Sequence, residues 1–374
     1  MLIDKVYSSA CCGRWIPQDT VDFDKVKNWL WLCDSFHDEQ CRPQIQPANT
    51  SLGWPRGFID VQRGRVVGAP TRSKYICLSY VWGGAEQLVL DYQMPVLLSK
   101  DGGIYETFTD QDVHETRISR TVEDAIRTIQ MLGEQYLWVD AGCIKQDDVS
   151  SAKMEEINAM DVIYSQAPLT IVAAAGDGAN TELAGLRSGS RDVLQHMEVV
   201  KNRSLITTAS PTYDFDVSVW ERRGWTLQER ALSRRLFVFT ANQVYLSWRR
   251  THFLEDTVSE MAPRDVRIRD FPNIGRDFVD GFYVADDEKG HFEFYRQLVR
   301  QYTMRKISYA EDALNACRGL LSDCQKPKSV EDSRFAYGLP LSEFTAALCW
   351  TAFPHSPESR REDFPQPVIG VGAL

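Results

Sequence analysis

The chain has 374 residues, 43% hydrophobic and 25% charged, with a formal net charge of -10. That size and balance fit one large domain with insertions, or two domains, around a sizeable core. The acidic excess argues against a general binder of nucleic acid or of anionic membranes. Nine cysteines, an odd number without small-domain spacing, read as reduced thiols of a cytoplasmic protein. The N-terminus MLIDKVYSSACCGRW does not read as a signal peptide, and no apolar run approaches the length of a membrane span.

In chain order, residues 21–41, VDFDKVKNWLWLCDSFHDEQC, carry Val26, Trp29, Leu30 and Cys33 at helical spacing. The same stretch holds Cys33, His37 and Cys41, all metal-ligand residue types. On a continuous helix the outer two lie about 12 Å apart along the axis, so packing, not zinc, is expected there. RGFIDVQRGRVVGAP reads as a hairpin. Tyr75–Val81 reads as a buried strand stopped by Gly83-Gly84, and residues 85–118 as an irregular insertion. Val122, Ala125, Ile126, Ile129 and Leu132 mark a helix that Gly133 ends.

YLWVD (Tyr136–Asp140) is a second strand, SAKMEEINAMDVIYSQA a helix, and LTIVAAA from Leu169 a third strand. A loop-rich insertion over roughly residues 176–217 precedes a helix in SVWERRGWTLQERALS, and RRLFVFT is a fourth strand. Alternation of this kind predicts an α/β fold, a mostly parallel sheet flanked by helices. Ligands of such sheets sit beyond the carboxyl ends of the strands, here Ser79–Gly84, Asp140–Asp147 and Ala174–Gly178. The C-terminal third reads as helices covering that sheet.

Ser218 and Glu221 fit a capping box that starts the SVWERRGWTLQERALS helix just after Ser218. Trp225 and Glu229, four apart, share a face. Gly224 costs that helix about 1 kcal/mol relative to alanine, which the close approach of a backbone or ligand would explain. On spacing alone, Trp225 as core and Glu229 as a surface ion-pair partner of Arg230 or Arg234 is the plainer reading. The amides of YVWGG suit a phosphate, yet they form neither a Rossmann nor a P-loop fingerprint. Asp140, at a strand end, suits a ribose hydroxyl or a site cation, or simply caps its loop. Cys143 has no histidine nearby in sequence and reads as a small buried residue.

These pieces together resemble the fungal heterokaryon incompatibility (HET) domain. YICLSYVWGG, TVEDAIRTIQMLGEQYLWVDAGCIKQDD, MEEINAMDVIYSQAPLTIVAAAGD, Ala184–Leu186 and RGWTLQERALSRRLFVF fall in the family's order over about residues 75–240. Gly142 departs from the larger apolar residue usual there, and the tryptophan-rich stretch common near the family's C-terminus is not seen before FPQPVIGVGAL. The resemblance implies a role in non-self recognition ending in cell death. It divides the chain into an extension (1–70), a core (71–250) and a helical cover (251–374).

A remoter resemblance runs from HET to TIR domains, whose sheet is flavodoxin-like. Trp225–Glu229 is similar to the TIR W-x-x-x-E segment, whose glutamate cleaves the nicotinamide–ribose bond of NAD. This implies Glu229 as the catalytic carboxylate. Ser79, Tyr80, Trp82, Gly83, Asp140, Cys143, Arg223 and Trp225 would contact NAD or a related nucleotide, which is substrate and not cofactor. No metal, nucleic acid or membrane is implied, and the acting species is a homo-oligomer. The alternative implied by the same resemblance is a non-catalytic module that signals by self-association.

Overall fold

The computed structural model describes residues 2–3, 12–36, 53–84, 118–144, 151–208, 211–248, 251–258, 260, 288–323 and 335–349. The chain forms two compact units, Met1–Glu221 with Ser233–Val279, and Arg222–Leu232 with Asp280–Leu374.

The first unit runs β1 (Leu2–Ile3), β2 (Cys12–Gly13), α1 (Phe23–Phe36), β3 (Gly57–Asp60), β4 (Arg65–Gly68) and β5 (Tyr75–Ser79). It continues α2 (Arg120–Leu132), β6 (Tyr136–Trp138), α3 (Asp140–Cys143), α4 (Ser151–Asn158), α5 (Met160–Gln166) and β7 (Thr170–Ala173). Then come β8 (Met197–Val200), β9 (Arg203–Ile206), α6 (Pro211–Asp216), β10 (Arg235–Phe239), β11 (Val244–Trp248), β12 (Thr251–Leu254) and β13 (Thr257–Val258).

Eight strands make one sheet in the order β12-β11-β10-β7-β5-β6-β3-β4. Its centre, β10-β7-β5-β6, is parallel. Both margins are antiparallel, so the sheet is mixed where the sequence pattern predicted a mostly parallel one. Local pattern explains the difference: the hairpin read at RGFIDVQRGRVVGAP closes onto β6, and β11 and β12 follow within too few residues for a crossover, so their pairing is antiparallel.

Counted along the chain, the four parallel strands lie in the order second, first, third, fourth. This doubly wound order places its switch point between β5 and β7. The parallel strands are buried on both faces, as their unbroken apolar runs require.

Helix α2 buries Val122, Ala125, Ile126 and Ile129, and Gly133 ends it in the left-handed conformation (φ 80°). The amides of Gly133 and Glu134 bond the carbonyls of Gln130 and Ile129, which would otherwise be orphaned. Helix α1 buries Val26, Trp29 and Cys33, with Trp29 stacked on Phe253 at 5.8 Å. His37 and Cys41 lie outside the described residues, as do most of the 85–118 insertion and Asp147. The helix expected over SAKMEEINAMDVIYSQA is split in two at Ala159, whose amide bonds Glu156 three residues back and tightens the turn.

The second unit holds α7 (Gly224–Leu232), α8 (Glu288–Thr303), two short 3-10 turns, α9 (Arg318–Asp323), the hairpin β14 (Phe335–Ala336)–β15 (Leu339–Pro340) and α10 (Phe344–Ala347). Among the described residues no helix is long and apolar enough to cross a membrane. Nor is any group of three or more His, Cys, Asp or Glu placed to hold a metal.

Candidate functional site

Three loops leave the carboxyl ends of β5, β6 and β7, and they are tied together. Trp82 Nε1 donates to Asp140 Oδ2 at 3.0 Å, while Asp140 Oδ1 accepts the Ala141 amide at 2.7 Å. Asp140 is half-buried there, a carboxylate held at both oxygens on the end of β6. Across the switch point, Gly83 turns at φ 63°, and a Cβ built on it would lie 2.8 Å from Gly178 Cα and 3.0 Å from the Asp177 carbonyl oxygen. The Ala179 amide bonds the Trp82 carbonyl at 3.2 Å. Only a glycine admits this approach of two backbones.

Helix α2 holds the third loop from the other side. The Thr121 amide bonds the Ala179 carbonyl, and Thr121 Oγ1 bonds the Thr181 carbonyl at 2.7 Å. Asp124, fully buried, accepts the Leu183 amide at 3.0 Å and two bonds from the Arg187 guanidinium at 2.9 and 3.1 Å. Burial pushes the Asp124 carboxyl above its ordinary range even against that guanidinium. Glu123 pairs with Arg127 and Arg187, and Glu182 with Arg120. The sequence motifs TVEDAI and AGLR are thus two halves of one loop anchor. Helical spacing puts Asp124 away from the apolar stripe of α2, and only the fold brings Leu183 and Arg187 onto it.

Ser79 and Tyr80 belong to the core. Ser79 is 1% exposed, and its Oγ accepts the Trp220 indole N–H at 2.7 Å. Trp220 itself is fully buried among Val81, Val172, Phe215, Val238 and Tyr245. Cys143 is likewise buried. Its sulfur lies 3.4 Å from the Val139 amide and 3.9 Å from the Leu137 carbonyl, and burial pushes the thiol up to about 12. A thiol in that state is a poor nucleophile.

The other three residues singled out lie in the second unit. Helix α7 begins at Gly224, six residues after Ser218, and not just after it. The capping bond does form, with the Glu221 amide 3.0 Å from Ser218 Oγ, but the helix does not follow. The backbone of residues 222–224 is engaged elsewhere. Lys306 N donates to the Arg222 carbonyl at 2.6 Å and Gly224 N to the Lys306 carbonyl at 2.8 Å, a one-residue bridge that a helical turn cannot share.

The glycine is also accounted for. A Cβ on Gly224 would fall 2.1 Å from Ile307 Cδ1 and 3.3 Å from Tyr302 Cε2. The tip of an aliphatic side chain fills the space beside that turn. Gln228 Oε1 accepts the Gly319 amide at 2.8 Å, and Arg305 Nη1 reaches the Arg223 carbonyl at 3.1 Å. Arg223 and Trp225 are half-buried. Glu229 is 6% exposed, so it is not the surface ion-pair partner of the plainer reading.

Residues 75–229 match the family model described as Heterokaryon incompatibility protein (HET). The match opens on the first residue of β5 and closes on Glu229, spanning three of the four parallel strands and the loop anchor. The chain therefore carries a HET domain. No curated protein and no solved structure matches it.

Proposed function

We propose that the HET domain performs the cell-death function of heterokaryon incompatibility by cleaving the nicotinamide–ribose bond of NAD or a related nucleotide, with Glu229 as the catalytic carboxylate. The observation that carries this reading is the second-first-third-fourth order of the parallel strands. In doubly wound sheets of this order, nucleotides bind beyond the strand ends at the switch point, where Trp82, Gly83 and Asp140 stand. The burial of Glu229 on the face of α7 that also carries Trp225 supports it. Gly224 no longer does, because Ile307 fills the space the sequence reserved for a dinucleotide.

The chemistry needs a single carboxylate. As the C1′–N bond of NAD breaks, its electron pair leaves with the ring nitrogen and neutralises the pyridinium, so no proton is required by the leaving group. Positive charge develops on the ribose as an oxocarbenium, and an ionised Glu229 stabilises it electrostatically. Water then adds to C1′ and releases its proton. Trp225 would pack on the nicotinamide ring. The acting species is a homo-oligomer, so activity should fall more steeply than enzyme concentration on dilution. The test is nicotinamide release from NAD by the full chain beside Glu229→Gln and Asp140→Asn. Release that Glu229→Gln leaves unchanged removes the proposal.

A second reading rests on a specific observation. The loops after β5 and β7 touch backbone to backbone across the switch point at Gly83 and Gly178. A crevice closed in this way suits a non-catalytic module that signals by self-association, and absence of any nicotinamide release would favour it.

A further inference from the structure

The small sheet β1-β9-β8 ends in a strand whose outer edge faces no other strand among the described residues. β8 and β9 form a hairpin closed by Lys201 (φ 47°) and Asn202 (φ 63°), the two left-handed residues of a tight two-residue turn. In such a hairpin the flanking pair, Val200 and Arg203, exchanges both backbone bonds, and bonded pairs recur at every second residue. The bond from the Thr207 amide to the His196 carbonyl at 2.9 Å fixes that parity. The amides and carbonyls of Met197 and Val199 therefore point outward.

The side chains of the same two residues share one face and are 50% and 71% exposed. Leu194, just upstream, is 80% exposed. Natural edge strands are protected by charged side chains, lysine above all, by proline, by a bulge or by short length; β8, Met197-Glu198-Val199-Val200, is short and carries one charge, Glu198, but no lysine, proline or bulge.

We propose that β8 is a self-association edge that pairs antiparallel with β8 of a second copy of this chain, Val199 facing Val199 across a two-fold axis. Register selects this arrangement. The outward groups of Met197 and Val199 allow three registers; Met197 facing Met197 carries each Glu198 away from the Lys201–Arg203 tip of the other copy, which leaves two. In one, Met197 faces Val199 and Glu198 comes directly opposite Glu198 of the second copy, a repulsive close pair. In the other, Val199 faces Val199 and Glu198 faces Val200 of the second copy, in the same cross-strand row as that copy's Arg203. The acidic centre of each strand then lies toward the basic Lys201–Arg203 tip of the other, and symmetry doubles the complementarity. The proposal stands whether or not the domain cleaves a nucleotide.

Light scattering behind size exclusion, over a dilution series of the full chain, should show a dimer that dissociates on dilution. Val199→Pro removes an outward N–H without touching the β8–β9 ladder, and Val199→Lys installs the missing guard. Both should be monomeric at every concentration. Under mild oxidation Val199→Cys should cross-link, since Cα atoms of a bonded antiparallel pair lie about 5.5 Å apart, inside the range a disulfide spans. Val200→Cys, two residues out of register and on the other face, should stay at the wild-type background set by native thiols such as the exposed Cys349. A melting curve confirms each variant is folded; if Val199→Pro is not, Val199→Lys and the cross-link decide. A wild-type chain that is monomeric throughout overturns the proposal. So does a dimer that survives Val199→Lys, or one trapped through Val200→Cys and not Val199→Cys.

Discussion

Two glycines in the HET segment stand at turns that a sequence reader assigns to ligand approach, and they do different things. Gly83, at the end of β5, is left-handed and lies against the backbone of Gly178, so nothing there can yield to a side chain. Gly224, at the start of α7, lies against the tip of Ile307, a side chain that a substitution can shorten. Around Gly83 the structure is fastened by polar anchors: Trp82 to Asp140, and Asp124 to Leu183 and Arg187. Around Gly224 the groups nearest the Cα are apolar, while the Lys306 bridge and Arg305 on the Arg223 carbonyl hold the backbone beside it. A glycine in a motif thus reports close approach without saying of what, and only the neighbour's identity separates a site from a packing contact.

The largest expected effect tests whether α7 is more than packing. Glu229→Gln keeps the shape of the side chain and removes its charge. Loss of one electrostatic contact to a developing charge raises a barrier by about 3–4 kcal/mol, on the order of a hundred- to a thousand-fold in rate. Nicotinamide release should fall by that factor with the melting curve nearly unchanged. A variant that melts early but turns over normally when folded would assign Glu229 to the packing alone.

The glycines themselves come next. Gly83→Ala combines overpacking, about 1–3 kcal/mol, with a left-handed alanine at about 1–2 kcal/mol. The loss of stability should therefore approach several kcal/mol, and no single side-chain truncation should recover it. Gly224→Ala carries the overpacking alone and regains up to about 1 kcal/mol of helix propensity. Ile307→Ala should make room for it, so the double variant should be more stable than the sum of the two single changes predicts. Chemical denaturation of the four chains measures this coupling. Additive losses would mean that Ile307 is not what Gly224 accommodates.

How much of this was legible in the sequence follows from which forces are local. The hairpin at residues 57–68, the four parallel strands, α2 with its Gly133 stop and the carboxyl-end loops all follow from apolar periodicity and turn residues, which act within a few positions. The start of α7 did not, because a bridge from Lys306, more than eighty residues away, competes with a local capping box and prevails. The antiparallel margin of β11 and β12 was missed because no glycine or proline turn between the runs marks a hairpin. At the candidate site, the pairing of Trp82 with Asp140 was within reach, since both lie at the ends of adjacent parallel strands. The role of Asp124 was not, since it needs the partner loop in place.

The smallest effect separates the two kinds of fastening by pH. In the first unit Glu260 accepts Trp29 Nε1 at 2.7 Å and Arg14 Nη2 at 2.6 and 2.8 Å. Burial alone would raise its carboxyl, but the bonds from Arg14 and Trp29 prevail and hold it below its ordinary value of 4.5. A carboxyl with a lowered folded value contributes stability that is fully present above the unfolded value and lost as pH falls through the folded one. Glu260→Gln should therefore cost about 1–2 kcal/mol near neutral pH, and its difference from wild type should shrink as pH drops below 4.5. Gly224→Ala changes only how carbon packs on carbon, so its cost should be the same at both ends of that range. Denaturation of both variants at neutral pH and below pH 4.5 reads the contrast. A Glu260→Gln penalty that persists undiminished in acid would show that shape, and not the ionised carboxylate, holds Arg14 and Trp29 in place.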